Sequence, residues 1–475
     1  MENNKTEGQL LYEKLGYKNT NAWEKTSDKE IELAFSFCEG YKKFLDMAKT
    51  EREFVNHAVK LAASHGFTDL DKFTKTGQKL KPGMKVFQVD RNKAVIFAVI
   101  GNKAMKEGTR VTGAHIDSPR IDFKQKPVYE DTDMVLMKTH YYGGIKKYQW
   151  VTIPLALHGV VIKEDRTLVE VNIGEDDNDP IFTITDLLPH LATEQMQKKA
   201  TEVVAGEALN LLFGSIPYKD EKVKDKVKLN ILKLLNDKYG INEEDFTTAE
   251  LEIVPAFKAR DVGLDKSMVG AYGQDDRSCA YAGLKAIMDT EKTDYTYICV
   301  LTDKEEIGSM GNTGAQSRFM ENFIATLCAY TDDNYTELKF RSCLANSKML
   351  SADVNAGVDP NYEGVQDKKN ASFMGNGIVL QKYTGSRGKS GGSDANPEFI
   401  AEVRKIFNEN KVIWQVGELG KVDLGGGGTI AQYVANLGMD VLDCGVSVLS
   451  MHAPFEVTSK IDIYHMYKAY KAFAK

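Results

Sequence analysis

The sequence predicts an α/β protein: a mixed central sheet covered by helices on both faces, interrupted by an inserted, mainly β domain. Three observations carry this. After Pro255, strand-like and helix-like runs alternate to the end of the chain, the pattern of a sheet buried between two helical layers. Before it, Lys93–Ile100 and Thr109–Ala114 read as strands of the same sheet. Between these halves, residues 123–254 change texture, with a hairpin and a long charged tract. The expected division is therefore a discontinuous domain of residues 1–122 and 255–475, with residues 123–254 inserted.

Two helices are expected between Ser27 and His65. Ile31, Phe35, Cys38, Tyr41 and Leu45 recur at helical spacing, and Thr50 with Glu53 forms a capping-box pattern. In the insert, Leu155–Ile173 alternates as a hairpin about a Lys163–Thr167 turn, and Lys222–Lys238 reads as a mostly exposed amphipathic helix. Beyond Pro255 the expected helices are Asp276–Met288, Asn312–Tyr330, Asn396–Asn408, Thr429–Leu437 and Ser459–Phe473. The expected strands are Tyr295–Thr302, Lys348–Asp353, Val412–Val416 and Val441–Leu449.

Composition narrows the function. A formal net charge of −7 argues against a nucleic-acid partner, which calls for a basic patch. The longest apolar run, Ala94–Ile100, is too short to span a bilayer, and the polar start Met1–Lys5 lacks the apolar core of a signal peptide. The six cysteines include no Cys-x-x-Cys pair, so they read as reduced, mostly buried thiols of a cytoplasmic protein.

The chemistry is organised around Thr302–Ser309, where the strand ending at Thr302 gives way to Asp303-Lys304-Glu305-Glu306. Adjacent side chains there point in different directions, so one carboxylate can bind a metal while the other faces a substrate. Four more sites lie at element ends: His115 with Asp117, Asp275 with Asp276, Asp353, and His452. Ligands of α/β sheets gather at the carboxyl ends of strands. Asp276, just before a helix, also reads as an N-cap. Two divalent ions carry four positive charges, which Asp275, Glu306, Asp353 and one hydroxide balance. Imidazole nitrogen and carboxylate oxygen suit Zn²⁺, with Co²⁺ or Mn²⁺ as substitutes. Such a pair lowers the pKa of a shared water. Asp117, two residues from His115, can accept the other imidazole N–H.

The motifs Gly113-Ala114-His115-Ile116-Asp117-Ser118-Pro119, Gln274-Asp275-Asp276, Asp303 to Ser309, Ser351-Ala352-Asp353 and Ser450-Met451-His452 resemble those of the aspartyl aminopeptidase and vacuolar aminopeptidase I family. The resemblance covers nearly the whole chain and includes Leu188-Pro189-His190-Leu191-Ala192 of the insert. It implies a zinc-peptidase-like fold and an aminopeptidase with two metal ions per subunit. Asp275 would bridge the ions, with His115 and Asp353 on one and Glu306 and His452 on the other. It further implies Glu305 as general base, Asp117 as supporting acid, and an insert that mediates dimerisation. His190 would reach a neighbouring subunit's site, in a twelve-subunit shell built from dimers. The chain departs from the aspartyl aminopeptidases in its Gly425–Thr429 loop and after Ala192, so a preference for acidic N-terminal residues does not carry over. The residues alone also admit another co-catalytic metallohydrolase, a carboxypeptidase or an N-acyl amino acid deacylase, because one fold hosts several chemistries.

Overall fold

The computed structural model describes residues 5–475; the polar Met1–Asn4 stretch lies outside the described residues. The strand Thr296–Thr302 shows how the core is built. Tyr297, Cys299 and Leu301 pack on one side with residues of helices Asp28–Met47, Glu51–Ser64, Gln274–Met288 and Lys460–Phe473. Ile298 and Val300 pack on the other side with helices Phe319–Thr331 and Glu337–Asn346. Successive strand side chains point to opposite faces, so a strand apolar throughout must be covered twice. Each large apolar side chain so buried contributes about 1.5–3 kcal/mol.

The sheet has nine strands, in the order Thr68–Asp69, Lys85–Asp90, Ala94–Val99, Thr296–Thr302, Thr109–His115, Lys348–Ala352, Asp440–Gly445, Ile378–Gln381 and Trp414–Val416. The four from Thr296–Thr302 to Asp440–Gly445 are mutually parallel, and Ala94–Val99 and Ile378–Gln381 flank them antiparallel. The sheet is mixed, with helices on both faces, as the sequence predicts. The capping box at Thr50 and Glu53 is present.

Residues 120 to 255 supply all six strands of a second, antiparallel sheet, ordered Leu168–Ile173, Leu155–Ile162, Ala249–Pro255, Arg120–Asp131, Met134–Tyr142 and Leu211–Gly214. It has its own apolar core, including Ile121, Trp150, Leu157 and Leu251. The expected hairpin forms, its turn closed by the Lys163 N–H donating to the Thr167 carbonyl. The amphipathic helix runs Lys226–Tyr239, four residues later than expected at its start, and buries Val227, Ile231 and Leu235. A third sheet of five short strands includes Met268–Ala271, Ser447–Leu449 and Glu456–Ser459.

Some elements differ from expectation. The helix expected from Asn312 begins at Phe319. The residues before it are tied back to the acidic turn, because the Asp303 N–H donates to the Thr313 carbonyl and the Thr313 hydroxyl to the Asp303 carboxylate. The single strand expected over Val441–Leu449 is two, Asp440–Gly445 in the main sheet and Ser447–Leu449 in the small one. The helix expected over Thr429–Leu437 shortens to Ala431–Ala435. All six cysteines are buried and unbridged. No helix among the described residues is long and apolar enough to cross a membrane.

Candidate metal centre

The parallel strands deliver the site residues to one end of the sheet. Thr302 pairs in register with His115, so the acidic turn begins level with that histidine. Lys304 adopts a left-handed backbone (φ 67°) and leads into the short turn Glu305–Ile307, which separates the two glutamates. The Glu305 side chain is 16% exposed and that of Glu306 only 4%. Asp353 follows the strand Lys348–Ala352, and His452 follows the short strand Ser447–Leu449. Asp275 lies in the first turn of Gln274–Met288, where the backbone is not yet helical and the Asp275–Asp276 peptide is cis.

Asp275 sits between the two histidines. Its Oδ1 is 3.2 Å from His115 Nε2 and its Oδ2 is 3.3 Å from His452 Nε2. Glu306 Oε2 lies 3.5 Å from His452 Nε2. Two triads of donor atoms result, His115 with Asp275 and Asp353, and Asp275 with Glu306 and His452, each within 4.8 Å. The far ring nitrogens are already engaged. His115 Nδ1 is 3.0 Å from the Asp117 carbonyl and 3.2 Å from its Oδ1, and His452 Nδ1 is 2.9 Å from the Gly144 carbonyl. With Nδ1–H donated outward, each Nε2 is left to face Asp275 as a ligand would.

The electrostatics fit a cationic guest. Burial, reinforced by the Asp275 charge, holds the Glu306 carboxyl well above the usual range, and burial with Glu305 and Asp275 does the same for Asp353. Burial lifts Glu305 to about 7. Burial opposes ionisation of Asp275 too, but the hydrogen bonds from His115 and His452 win and hold it low. The imidazoles respond in the opposite sense. Burial would lower them, yet Asp117 and Asp275 raise His115 well above its ordinary value, and Asp275 and Glu306 bring His452 to about 10. Crowded carboxylates therefore draw positive charge into the pocket. Glu306 Oε1 is buried with no hydrogen-bond partner, an acceptor left unsatisfied at the site. The donor set of imidazole nitrogen and carboxylate oxygen is that of a zinc site. His115, Glu305 and Glu306 form a further close group, so Glu305 is within ligand reach as well. Its greater exposure distinguishes it from Glu306.

A second acidic cluster, Glu51 with Glu250 and Glu252, is already paired with cationic side chains. Lys93 Nζ lies 3.0 Å from Glu51 and 3.0 Å from Glu250, and Arg120 lies 3.4 Å from Glu51 and 3.1 Å from Glu252.

Asp117 is buried beneath the acidic turn and does more than meet His115. Its Oδ1 accepts the Glu305 N–H at 3.1 Å, and its Oδ2 accepts the Glu306 N–H at 3.2 Å and the Tyr142 hydroxyl at 2.8 Å. Asp276 is not the N-cap that its position before a helix suggests. Gly273 occupies that position, and both Asp276 carboxyl oxygens are buried without a partner. Sequence reading also missed Glu456, which accepts the Asp275 N–H at 3.1 Å and the His452 N–H at 2.7 Å. Its signal was an acid four residues after the last candidate histidine. Gly143 and Gly144 were missed too. A Cβ on Gly143 would lie 3.3 Å from the Glu306 Cβ, and one on Gly144 would lie 3.3 Å from His452 Nδ1. His190 stands apart, on the exposed turn Pro189–Leu191.

A cavity of about 510 Å³ opens onto Asp275, Glu305, Glu306, Asp353 and His452. The Gly425–Thr429 loop lines it, and the buried Asp443 anchors that loop by accepting the Thr429 hydroxyl at 2.6 Å.

The family model described as aminopeptidase I zinc metalloprotease (M18) matches residues 44–474. A Clostridium acetobutylicum protein named probable M18 family aminopeptidase 1 is 54% identical over 453 residues, covering 95% of this chain and 97% of that protein. The crystal structure of an M18-family aminopeptidase from Thermotoga maritima is similar with a TM-score of 0.92 at 45% identity, over 97% of this chain and 99% of that one. The crystal structure of aminopeptidase I from Clostridium acetobutylicum has a TM-score of 0.91 at 51% identity, over 97% and 100% of the two chains. The yeast mApe1 dodecamer is a more distant likeness in fold, with a TM-score of 0.73 at 21% identity over 93% of this chain and 96% of that one. The chain belongs to the M18 family of aminopeptidase I zinc metalloproteases, hydrolases that remove N-terminal residues from peptides.

Proposed function

We propose that this aminopeptidase works with two Zn²⁺ ions per subunit, one held by His115, Asp275 and Asp353 and the other by Asp275, Glu306 and His452. The observation that carries this is the placement of Asp275, whose two oxygens face one histidine each. Bound ions would supply Lewis acidity to the scissile carbonyl and to water.

The chain's own groups do the rest. Glu305 takes a proton from water and returns it to the leaving amine. Its carboxyl stands beside the proposed ligands and is more exposed than that of Glu306, the placement a base facing water and substrate needs. Asp117 fixes the Glu305 backbone and the His115 ring, so the base and one ligand are set by the same carboxylate. The cavity beside Glu305 takes the N-terminal residue of the peptide, with the Gly425–Thr429 loop as one wall.

His190, exposed on its own chain, would reach the site of a neighbouring copy and stabilise charge on the carbonyl oxygen. That role needs a homo-oligomer in which residues 123–254 form the dimer contact. The likeness in fold to the yeast dodecamer supports a twelve-subunit assembly. The six buried, unbridged cysteines support a cytoplasmic location. Co²⁺ or Mn²⁺ should substitute for Zn²⁺.

The test is a panel of peptides and aminoacyl reporters with free and acetylated N-termini, with each metal supplied. Cleavage confined to free N-termini is expected. Release of acyl groups or of C-terminal residues would replace this reading with a deacylase or a carboxypeptidase.

A further inference from the structure

Arg120 begins its strand one residue after the Gly113–Pro119 motif, and Tyr142 ends the next strand. The two are direct cross-strand partners. Neighbours so placed hold their side chains together, and here the Arg120 guanidinium lies 4.0 Å from the centre of the Tyr142 ring. Arg120 is itself fixed, because it is buried and flanked by Asp122 at 2.8 Å, Glu252 at 3.1 Å and Glu51 at 3.4 Å. A phenol ring held over a clamped cation has little freedom to swing. Its hydroxyl is thereby aimed at Asp117 Oδ2, 2.8 Å away. The two residues after it, Gly143 and Gly144, pass against Glu306 and His452, and the Gly144 carbonyl faces His452 Nδ1 at 2.9 Å.

We propose that Tyr142 is a positioning residue for the metal centre, acting from the second sheet through Asp117. Asp117 meets His115 Nδ1 and accepts the backbone N–H groups of both Glu305 and Glu306. The Tyr142 hydroxyl is the one side-chain donor to Asp117 from the second sheet, and it bonds the oxygen that also holds Glu306. Without it, Asp117 can rotate toward its remaining partners, and the His115 ring and the acidic turn lose their common reference. The inference rests on the proposed metal-ligand set. It adds that strands of the second sheet set the geometry of a site whose ligands lie on other elements.

The experiment uses Tyr142→Phe, which removes only the hydroxyl, together with Asp117→Asn and the double variant. Zinc affinity is measured on metal-free protein by competition with a chromophoric chelator, with melting temperature and steady-state kinetics alongside. Tyr142→Phe should weaken zinc binding about 10–100-fold. It should lower kcat with KM within about twofold and leave the melting temperature within a few degrees. In the Asp117→Asn background the same change should have almost no further effect on zinc, because a contact that acts through a second residue is not additive with its loss. Wild-type zinc affinity in Tyr142→Phe, or additive losses in the double variant, would overturn the proposal. A fall in melting temperature with unchanged zinc affinity would also overturn it, as the mark of a packing role. Failure of the underlying ligand set looks different: Asp275→Ala would then bind zinc as tightly as wild type.

Discussion

The Asp117 carboxylate accepts the backbone N–H of Glu305 at 3.1 Å, although the two residues are 188 positions apart. The bond joins the loop after one central strand to the turn after its parallel neighbour. It fixes where Glu305 stands before any substrate arrives. The proposed base is thus positioned by the backbone, leaving its carboxylate free for proton transfer.

That freedom sets the first expectation. Glu305→Gln keeps the shape of the side chain and removes its basicity. Turnover should fall about 10²–10⁴-fold, with metal content by elemental analysis unchanged. Near-normal kcat would remove Glu305 from the role.

His190 has no place in the cavity of its own chain and is exposed on a turn. His190→Ala should therefore lower kcat in the assembled protein, leaving melting temperature and zinc content as they were. Unchanged kinetics in an intact oligomer would make it an ordinary surface histidine.

Metal loading should be strongly pH-dependent. In metal-free protein, hydrogen bonds donated to carboxylates outweigh burial, raising His115 well above its ordinary value and bringing His452 to about 10. Both rings therefore carry protons near neutral pH, and ligation must displace them. Affinity should increase as pH rises from 6 to 8, with proton release seen by calorimetry in buffers of different ionisation enthalpy. Affinity that is flat across that interval would contradict the two-histidine site.

Away from the centre, His465 gives a stability test. It accepts the Ile413 N–H at 3.1 Å and lies 2.9 Å from the Thr26 hydroxyl, and burial depresses its pKa to about 3. The unfolded chain takes up a proton near pH 6.5, whereas the folded chain does so only near 3. This contribution is thus fully present above about pH 6.5 and is lost as pH falls toward 3. Between pH 5.5 and 4.5 wild type should lose about 1.4 kcal/mol more than His465→Gln. Urea denaturation at the two pH values measures the difference, and parallel losses would refute it.

Much of this was legible in the chain because strand ends announce themselves. The apolar run ending at Thr302 and the Gly- and Pro-punctuated loop after Ala114 placed Glu305, Glu306, His115 and Asp117 at the carboxyl ends of strands. Register then brought them level. Periodicity also located the Leu155–Ile173 hairpin of the insert, two of the six strands in its sheet. It was less informative where tertiary contacts decide local structure. The residues before Phe319 carry helical spacing, yet Asp303 and Thr313 bind them back as a loop. Val446 looks like the middle of one strand, but there the chain crosses from one sheet to another. Glu456 and Tyr142 were invisible for a related reason. Neither sits in a motif, and the contacts of each with Asp275 and Asp117 form only when separate elements are brought together. Asp276 misled because an acid before a helix reads as a cap, whereas here it is buried behind Asp275.

The most direct measurement is anomalous scattering at the zinc edge from crystals of the zinc-loaded protein. The expected result is two peaks per chain, one touching His115, Asp275 and Asp353, the other Asp275, Glu306 and His452. A single peak, or a peak that Asp275 does not share, would contradict the two-ion centre.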